Sequence, residues 1–175
     1  MIIVMAGLPG SGKTTLAKMI AKDLPASILS KDELRSAIFP PEEILYSNIQ
    51  DDFVVGIMLQ LADFYLANDP GKNVIIDGRT FSKKAQVRVL LDFMNKAGHP
   101  FCVIQCHCSD ETTKHRLEYD VKNGSHPAAN RTFELFQKLR FESDELEIPR
   151  LLVNTDNKIE DCLQESLRYI EQFIN

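Results

Sequence analysis

The chain has 175 residues, 44% of them hydrophobic and 26% charged, which excludes a disordered or collagen-like protein and predicts a single domain over residues 1–175. No run approaches the roughly 18 apolar residues of a membrane span, and no signal peptide precedes the first apolar run, so we expect a cytoplasmic protein without a membrane partner. The net charge of −5 disfavours long nucleic acid as the partner and suits a small molecule better.

Five apolar runs read as β-strands and alternate with segments of helical periodicity. They are Ile2–Ala6, Ser27–Ser30, Asn73–Asp77, Phe101–His107 and Arg150–Asn154. The runs are continuous rather than alternating, which is typical of strands covered on both faces. The pattern therefore predicts an α/β fold with a five-stranded parallel sheet and helices on both sides.

Helical periodicity is clearest in three of the segments between the strands. Apolar side chains fall on one face of the segment after Thr14, and Pro25 ends this first helix. The segment Asp51–Asn68 is apolar on most sides, which predicts a deeply packed helix. Ser82 is predicted to cap a further helix, which Gly98 ends.

Two stretches lack strong periodicity. One is Phe39–Gln50, with two consecutive prolines, and the other is Tyr119–Arg131, with Gly124 near its centre. Long segments without regular structure in a compact domain often cover a functional site. We expect both to be mobile covers.

A glycine-rich motif follows the first strand and opens the first helix. It reads Gly7-Leu8-Pro9-Gly10-Ser11-Gly12-Lys13-Thr14, a full match to the phosphate-binding pattern G-x-x-x-x-G-K-[ST]. Backbone N–H groups of such a loop surround phosphate oxygens, and the helix N-terminus adds a partial positive charge. Lys13, expected as a surface cation, can reach the β- and γ-phosphates, the Thr14 hydroxyl can bind Mg²⁺, and Thr15 can bond the α-phosphate. The predicted ligands are ATP and Mg²⁺, since the guanine-reading N-K-x-D pattern is missing after the last strand.

A second motif, Ser30-Lys31-Asp32-Glu33-Leu34-Arg35, follows the second strand. Asp32 and Arg35 are three residues apart, so one helical turn places them on the same face. Because parallel strands end at one edge of a sheet, this turn should lie beside the glycine-rich loop. A carboxylate there can accept the proton of a hydroxyl, and the arginine can hold an acceptor or a phosphate oxygen. The alternative is a helix-capping aspartate with a surface arginine.

Together, Gly7–Thr15 and Ser30–Arg35 resemble the P-loop kinase family that includes polynucleotide 5′-hydroxyl kinases, chloramphenicol phosphotransferases and zeta toxins. The resemblance implies a three-layer P-loop fold with strand order 2-3-1-4-5 and a small lid at about residues 119–131. It implies that Asp32 is the general base and Arg35 the acceptor-site arginine. It also implies that Asp77, at the end of the third strand, lies near Mg²⁺.

Further site residues are predicted by their places in the chain. Among Arg79, Lys83, Lys84 and Arg88, Arg79 is the best candidate for an additional acceptor contact, because it directly follows the acidic strand end. Asn154 and Thr155 fall where small P-loop kinases place the loop on the adenine side. A cation must offset charge on the transferred phosphoryl group, and Arg116, Lys122 and Arg131 stay open as alternatives for it.

These residues favour an ATP-dependent kinase that phosphorylates a hydroxyl of a small molecule, as a monomer or homodimer. A polynucleotide 5′-hydroxyl kinase is a variant of the same hypothesis, because the acidic chain could still hold a 5′ end in a local basic cleft. A nucleotide-binding module without phosphoryl transfer is the second class. Asp32 separates the classes, because a pure binding module does not need a carboxylate facing the γ-phosphate.

Overall fold

A parallel sheet of five strands forms the centre of the computed structural model, which describes residues 1–123, 131–145 and 147–174. The strands are β1 (Ile2–Ala6), β2 (Ala26–Ser30), β3 (Asn73–Asp77), β4 (Phe101–His107) and β5 (Leu151–Asn154). Their order is β2-β3-β1-β4-β5 and every neighbouring pair is parallel. The predicted fold class and strand order are confirmed.

Helices cover both faces of this sheet. Within the described residues they are α1 (Lys13–Asp23), α2 (Lys31–Ile38), α3 (Asn48–Asn68), α4 (Lys84–Ala97), α5 (Asp110–Asn123), α6 (Phe133–Phe141) and α7 (Ile159–Glu171), with a 3₁₀ turn at Pro41–Glu43. In that part of the chain, no helix is long and apolar enough to cross a membrane.

The central strand β1 shows why its apolar run is continuous. Ile2 and Val4 point into a core formed with α3 and α4, whereas Ile3 and Met5 point into a second core formed with α1 and α7. All four side chains are fully buried. Because successive side chains of a strand face opposite sides, a sheet with two covered faces needs apolar residues at every position.

Two predicted helix starts are wrong, each for a local reason. Helix α3 begins at Asn48 rather than Asp51, because the Ser47 side chain accepts a hydrogen bond from the Gln50 N–H and caps the helix there. The cap of α4 is Lys83 and not Ser82, whose hydroxyl is 3.1 Å from the hydroxyl of Thr80. The predicted end of α4 at Gly98 is confirmed by a left-handed φ of 70°.

The two stretches predicted as covers differ in how far they are described. The first is held down by the buried Gln50, whose side chain accepts from Leu45 N at 2.9 Å and donates to the Glu43 carbonyl at 3.0 Å. In the second, residues 119–123 complete α5 and Arg131 precedes α6, whereas residues 124–130, with Gly124, lie outside the described residues. The mobility of both stays a prediction.

Candidate active site

The glycine-rich loop joins the carboxyl end of β1 to α1 and is fixed at its base. Gly7 has a φ of 134°, and a Cβ atom there would lie 2.4 Å from the Cys106 carbonyl oxygen, so only glycine fits. The Gly7 N–H donates to the Thr80 carbonyl at 3.0 Å. The loop is therefore held between β4 and the segment after β3.

Lys13 is the first residue of α1, and its side chain is buried with 7% exposure. The expectation of a surface cation is wrong, because the side chain folds back under the loop and its Nζ donates to the Leu8 carbonyl at 3.3 Å. Burial lowers the pKa of Lys13 to about 8, with Asp77 opposing the change and Arg131 adding to it. An incoming phosphate would supply the negative charge that this lysine lacks.

Thr14 and Asp77 meet at the start of α1. The Thr14 hydroxyl donates to Asp77 Oδ2 at 2.7 Å, and Asp77 is buried with 2% exposure. The second carboxylate oxygen, Oδ1, is buried without a hydrogen-bond partner among the described residues. A hydroxyl beside a carboxylate with one unused oxygen is a donor set that fits Mg²⁺, which binds oxygen ligands.

Helix α2 places Asp32 and Arg35 in the same cleft. The Ser30 side chain caps this helix by accepting from Glu33 N at 3.4 Å, so Asp32 is not the capping residue. Arg35 Nη1 donates to Asp32 Oδ1 at 2.8 Å, which agrees with their spacing of one helical turn. The alternative of a surface arginine is excluded, because Arg35 is 2% exposed.

Asp51 on α3 is a site residue that the sequence analysis missed. It accepts from Lys31 Nζ at 2.8 Å and from Arg35, and its Oδ2 is 3.5 Å from Arg79 Nη1. Arg79 Nη2 in turn pairs with Asp52 at 2.5 Å. The available signal was the Asp51–Asp52 pair in the first turn of a helix that follows an aperiodic segment.

A close backbone approach brings Arg79 to this cluster. Gly78 has a φ of 106°, and a Cβ atom there would lie 2.8 Å from the Cβ atom of Lys31. A larger residue at Gly78 would push the segment after β3 away from α2. The glycine therefore allows Arg79 and Lys31 to reach the same carboxylate.

These groups open into one cleft of about 180 Å³ beside the glycine-rich loop. Its lining includes Lys13, Thr14, Asp32, Arg35, Arg79 and Arg131. Arg131 is mostly buried, which lowers its pKa, and its Nη1 is 3.4 Å from Asp120 Oδ2. The structure thus brings Arg131 to the same cleft as the loop lysine and Asp32.

Arg116 and Thr155 lie together behind the glycine-rich loop. Arg116 donates to the Gly10 carbonyl at 3.2 Å and to Thr155 Oγ1 and the Thr155 carbonyl at 2.9 and 2.8 Å. Thr155 Oγ1 donates to the Ser11 carbonyl at 2.9 Å. Arg116 therefore supports the loop from behind.

Three other predicted residues, Asn154, Lys122 and Thr15, do not line the cleft. Asn154 accepts from the Asp156 N–H at 3.0 Å and shapes the turn after β5. Lys122 is exposed near the end of α5, and Thr15 is exposed on α1.

A glycine-rich loop at the carboxyl end of the first strand of a parallel 2-3-1-4-5 sheet defines a P-loop nucleotide-binding fold. The chain belongs to the AAA domain family, whose model matches residues 2–142. No curated protein matches its sequence significantly.

Solved structures with the same fold include several kinases. A kinase candidate from Chloroflexus aurantiacus has a TM-score of 0.77 at 20% identity, covering 99% of this chain and 98% of that one. A gluconokinase from Sinorhizobium meliloti has a TM-score of 0.68 at 17% identity, with 97% and 91% covered. The APS kinase of Mycobacterium tuberculosis, in complex with AMPPNP and APS, has a TM-score of 0.68 at 18% identity, with 97% and 96% covered.

Proposed function

We propose that this protein is an ATP-dependent kinase that transfers the γ-phosphoryl group to a hydroxyl of a small molecule. The observation that carries the proposal is the shared cleft, in which Asp32 of α2 and Lys13 of the P-loop line one space of about 180 Å³. A module that only binds nucleotide has no use for a carboxylate in that position. The gluconokinase and the APS kinase with the same fold support small-molecule phosphorylation.

In the proposed reaction the acceptor hydroxyl attacks the γ-phosphorus of ATP. A bond forms between the hydroxyl oxygen and phosphorus, the bond from phosphorus to the β–γ bridging oxygen breaks, and ADP leaves. Asp32 accepts the hydroxyl proton as general base. Lys13 binds the β- and γ-phosphates, and Arg131 offsets negative charge on the transferred group.

Thr14 and Asp77 are the residues that would hold Mg²⁺, because they combine a hydroxyl with a buried carboxylate oxygen that lacks a partner. When bound, Mg²⁺ neutralises charge on the β- and γ-phosphate oxygens. The P-loop backbone and Arg116 keep the nucleotide site in shape, since Arg116 joins the Gly10 carbonyl to Thr155.

The test is transfer from labelled ATP to a panel of hydroxyl acceptors: sugars, sugar acids, nucleosides, nucleotides, an aminoglycoside and an oligonucleotide with a free 5′ end. We expect a labelled product and ADP release that depends on one acceptor class, both lost in Lys13→Ala. The exposed Arg168→Gln on α7 serves as the control. Acceptor-independent ADP release that Asp32→Asn does not change would instead favour the nucleotide-binding module, and phosphorylation of the oligonucleotide alone would favour the polynucleotide kinase.

A further inference from the structure

Two guanidinium groups in the cleft have donors that make no hydrogen bond within the described residues. Arg35 and Arg79 are 2% and 3% exposed, yet Arg35 Nε and Arg79 Nη1 have no hydrogen-bond partner there. A buried donor without a partner costs roughly 1–3 kcal/mol, and more when it is charged. Such groups are uncommon in native structures and are explained by strain, by a catalytic role, or by an acceptor that a water or a bound ion supplies.

The charge of the cleft points to the kind of acceptor atom. Among the described residues, its lining carries six cations, Lys13, Lys31, Arg35, Arg79, Lys83 and Arg131. It carries three carboxylates, on Asp32, Asp51 and Glu142. The lining itself therefore has an excess of three positive charges, and Asp52 and Asp120, which pair with Arg79 and Arg131 from outside the lining, reduce this excess to one. The proposed function assigns Lys13 and Arg131 to the nucleotide phosphates, which leaves Arg35 and Arg79 for the acceptor.

Tyr46 fixes the orientation of Arg35. The Arg35 Cζ atom lies 5.2 Å from the centre of the Tyr46 ring, so the ring covers one face of the guanidinium group. Tyr46 has a φ of 44°, a left-handed conformation that costs a non-glycine residue about 1–3 kcal/mol and clusters at ligand sites. With its face covered, the guanidinium presents its donors in plane, the arrangement that binds oxyanions.

Resting on the proposed function, we infer that the phosphoryl acceptor is a hydroxyl compound that also carries an oxyanion, and that Arg35 and Arg79 bind this oxyanion. Asp51 pairs with both arginines and with Lys31, yet Arg35 Nε has no hydrogen-bond partner among the described residues, and Arg79 Nη1, 3.5 Å from Asp51 Oδ2, makes no hydrogen bond there. A carboxylate, a phosphate or a sulfate would each satisfy the two donors.

The first experiment measures oxyanion binding without knowledge of the acceptor. The ¹⁵N-labelled protein is saturated with Mg²⁺ and AMPPNP, so that the P-loop is filled, and titrated at constant ionic strength with sulfate, methylphosphonate or acetate. We expect the Arg35 Nε–H resonance, assigned with Arg35→Lys, to shift saturably with at least one of them. Tighter binding of methylphosphonate than of acetate would indicate a phosphate-type acceptor, and the reverse order would indicate a carboxylate-type acceptor.

Variants then test the assignment to Arg79. We expect Arg79→Gln to weaken oxyanion binding about tenfold or more, the loss of one hydrogen bond to a charged group. Arg168→Gln removes the same charge from the exposed face of α7 and should leave the affinity unchanged. If Arg79→Gln does not fold, it is replaced by Arg79→Lys, which keeps the charge and removes the guanidinium fork. The wild-type titration tests the inference in either case. No saturable shift of Arg35 Nε–H with any of the three anions, or equal affinity in a folded Arg79 variant, would overturn the inference.

The second experiment links the site to transfer. For each acceptor that takes up label, we expect its neutral analogue, such as glucose for gluconate, to have a kcat/KM at least about tenfold lower. Arg79→Gln should remove this difference. Efficient transfer to neutral acceptors, at a rate that Arg79→Gln does not change, would contradict this inference but not the proposed function. Saturable oxyanion binding without transfer to any acceptor would count against the proposed function instead.

Discussion

Thr14 Oγ1 and Asp77 Oδ2 are joined by a hydrogen bond of 2.7 Å across the start of α1 and the end of β3. The threonine belongs to the P-loop and the aspartate ends a strand 63 residues later in the chain. The two motifs that a magnesium nucleotide would need are therefore already in contact. The buried Oδ1 atom of the same aspartate adds an oxygen without a partner in the described residues.

From this pair we predict that Asp77→Asn weakens nucleotide binding only when Mg²⁺ is present. In the wild type, Mg²⁺ should strengthen AMPPNP binding, and the variant should lose about tenfold or more of that gain, since an amide is a poorer Mg²⁺ ligand than a carboxylate. Titration calorimetry measures the AMPPNP affinity with Mg²⁺ and with EDTA, and the ratio of the two affinities is the Mg²⁺ gain. Asp63→Asn, at the half-exposed pair with His99, is the control. An equal Mg²⁺ gain in all three proteins would remove Asp77 from the metal site.

We predict that Lys13 makes nucleotide binding sensitive to pH. Its pKa is lowered to about 8 in the folded protein, whereas phosphates favour the charged form, so binding at pH 8 should take up about half a proton. Calorimetry of AMPPNP binding in two buffers of different ionisation enthalpy measures this uptake. Lys13→Arg, which stays charged at every accessible pH, should show none.

The same pKa has a consequence for stability without nucleotide. Because the folded-state pKa lies below the unfolded value of 10.5, the unfolded chain holds more protons between pH 8 and 10.5. The free energy of unfolding should therefore rise through this window relative to Lys13→Arg. Equal pH dependence in the two proteins would show that Lys13 titrates normally.

Local patterns in the sequence predict the parts of the site that depend on neighbouring residues. The P-loop motif needs only a strand, a turn and a helix, and the Asp32–Arg35 pair needs only one helical turn, so both can be predicted from spacing. The strand order follows from the resemblance of these motifs to known kinases.

The missed features depend on packing between distant segments. Asp51 joins the site because α3 lies against α2 and beside the segment after β3, and no spacing rule relates position 51 to positions 35 and 79. Lys13 is buried because the loop folds over its side chain toward the Leu8 carbonyl. The cap at Lys83 follows from the contact between the hydroxyls of Ser82 and Thr80.

Asp51→Asn should destabilise the protein by about 3 kcal/mol, because it leaves buried cations without their shared carboxylate. The matched control is Asp52→Asn, whose side chain is 62% exposed and contacts Arg79 alone of these cations, and we expect a loss below about 1 kcal/mol. Urea unfolding followed by circular dichroism gives both values. Equal losses would mean that Asp51 does not hold the cluster together.

Replacing Arg116 and Arg131 by alanine should affect different steps, nucleotide binding for Arg116 and phosphoryl transfer for Arg131. Arg116→Ala removes the support behind Gly10, so we expect AMPPNP binding to weaken about tenfold, the value of a lost charged hydrogen bond. Arg131→Ala should keep this affinity and lower the transfer rate about 100-fold.

Hydrogen exchange over residues 119–131, with and without AMPPNP, tests the predicted lid. Unchanged protection, together with full transfer in Arg131→Ala, would contradict both the lid and its cation.

Asp32→Asn separates a general base from a structural carboxylate. The amide can still accept from Arg35 Nη1, so the fold and the affinity for magnesium nucleotide should be retained. Transfer to the acceptor should fall by about 10²–10⁴-fold, because the amide cannot take the hydroxyl proton, whereas slow hydrolysis of ATP should largely persist. Single-turnover transfer from labelled ATP measures the rate. Glu33→Gln, an exposed neighbour in the same helical turn, is the matched control and should transfer at the wild-type rate. Transfer by Asp32→Asn at a similar rate would mean that the base lies elsewhere in the cleft, and a large loss of nucleotide affinity would assign Asp32 to the metal rather than to the proton.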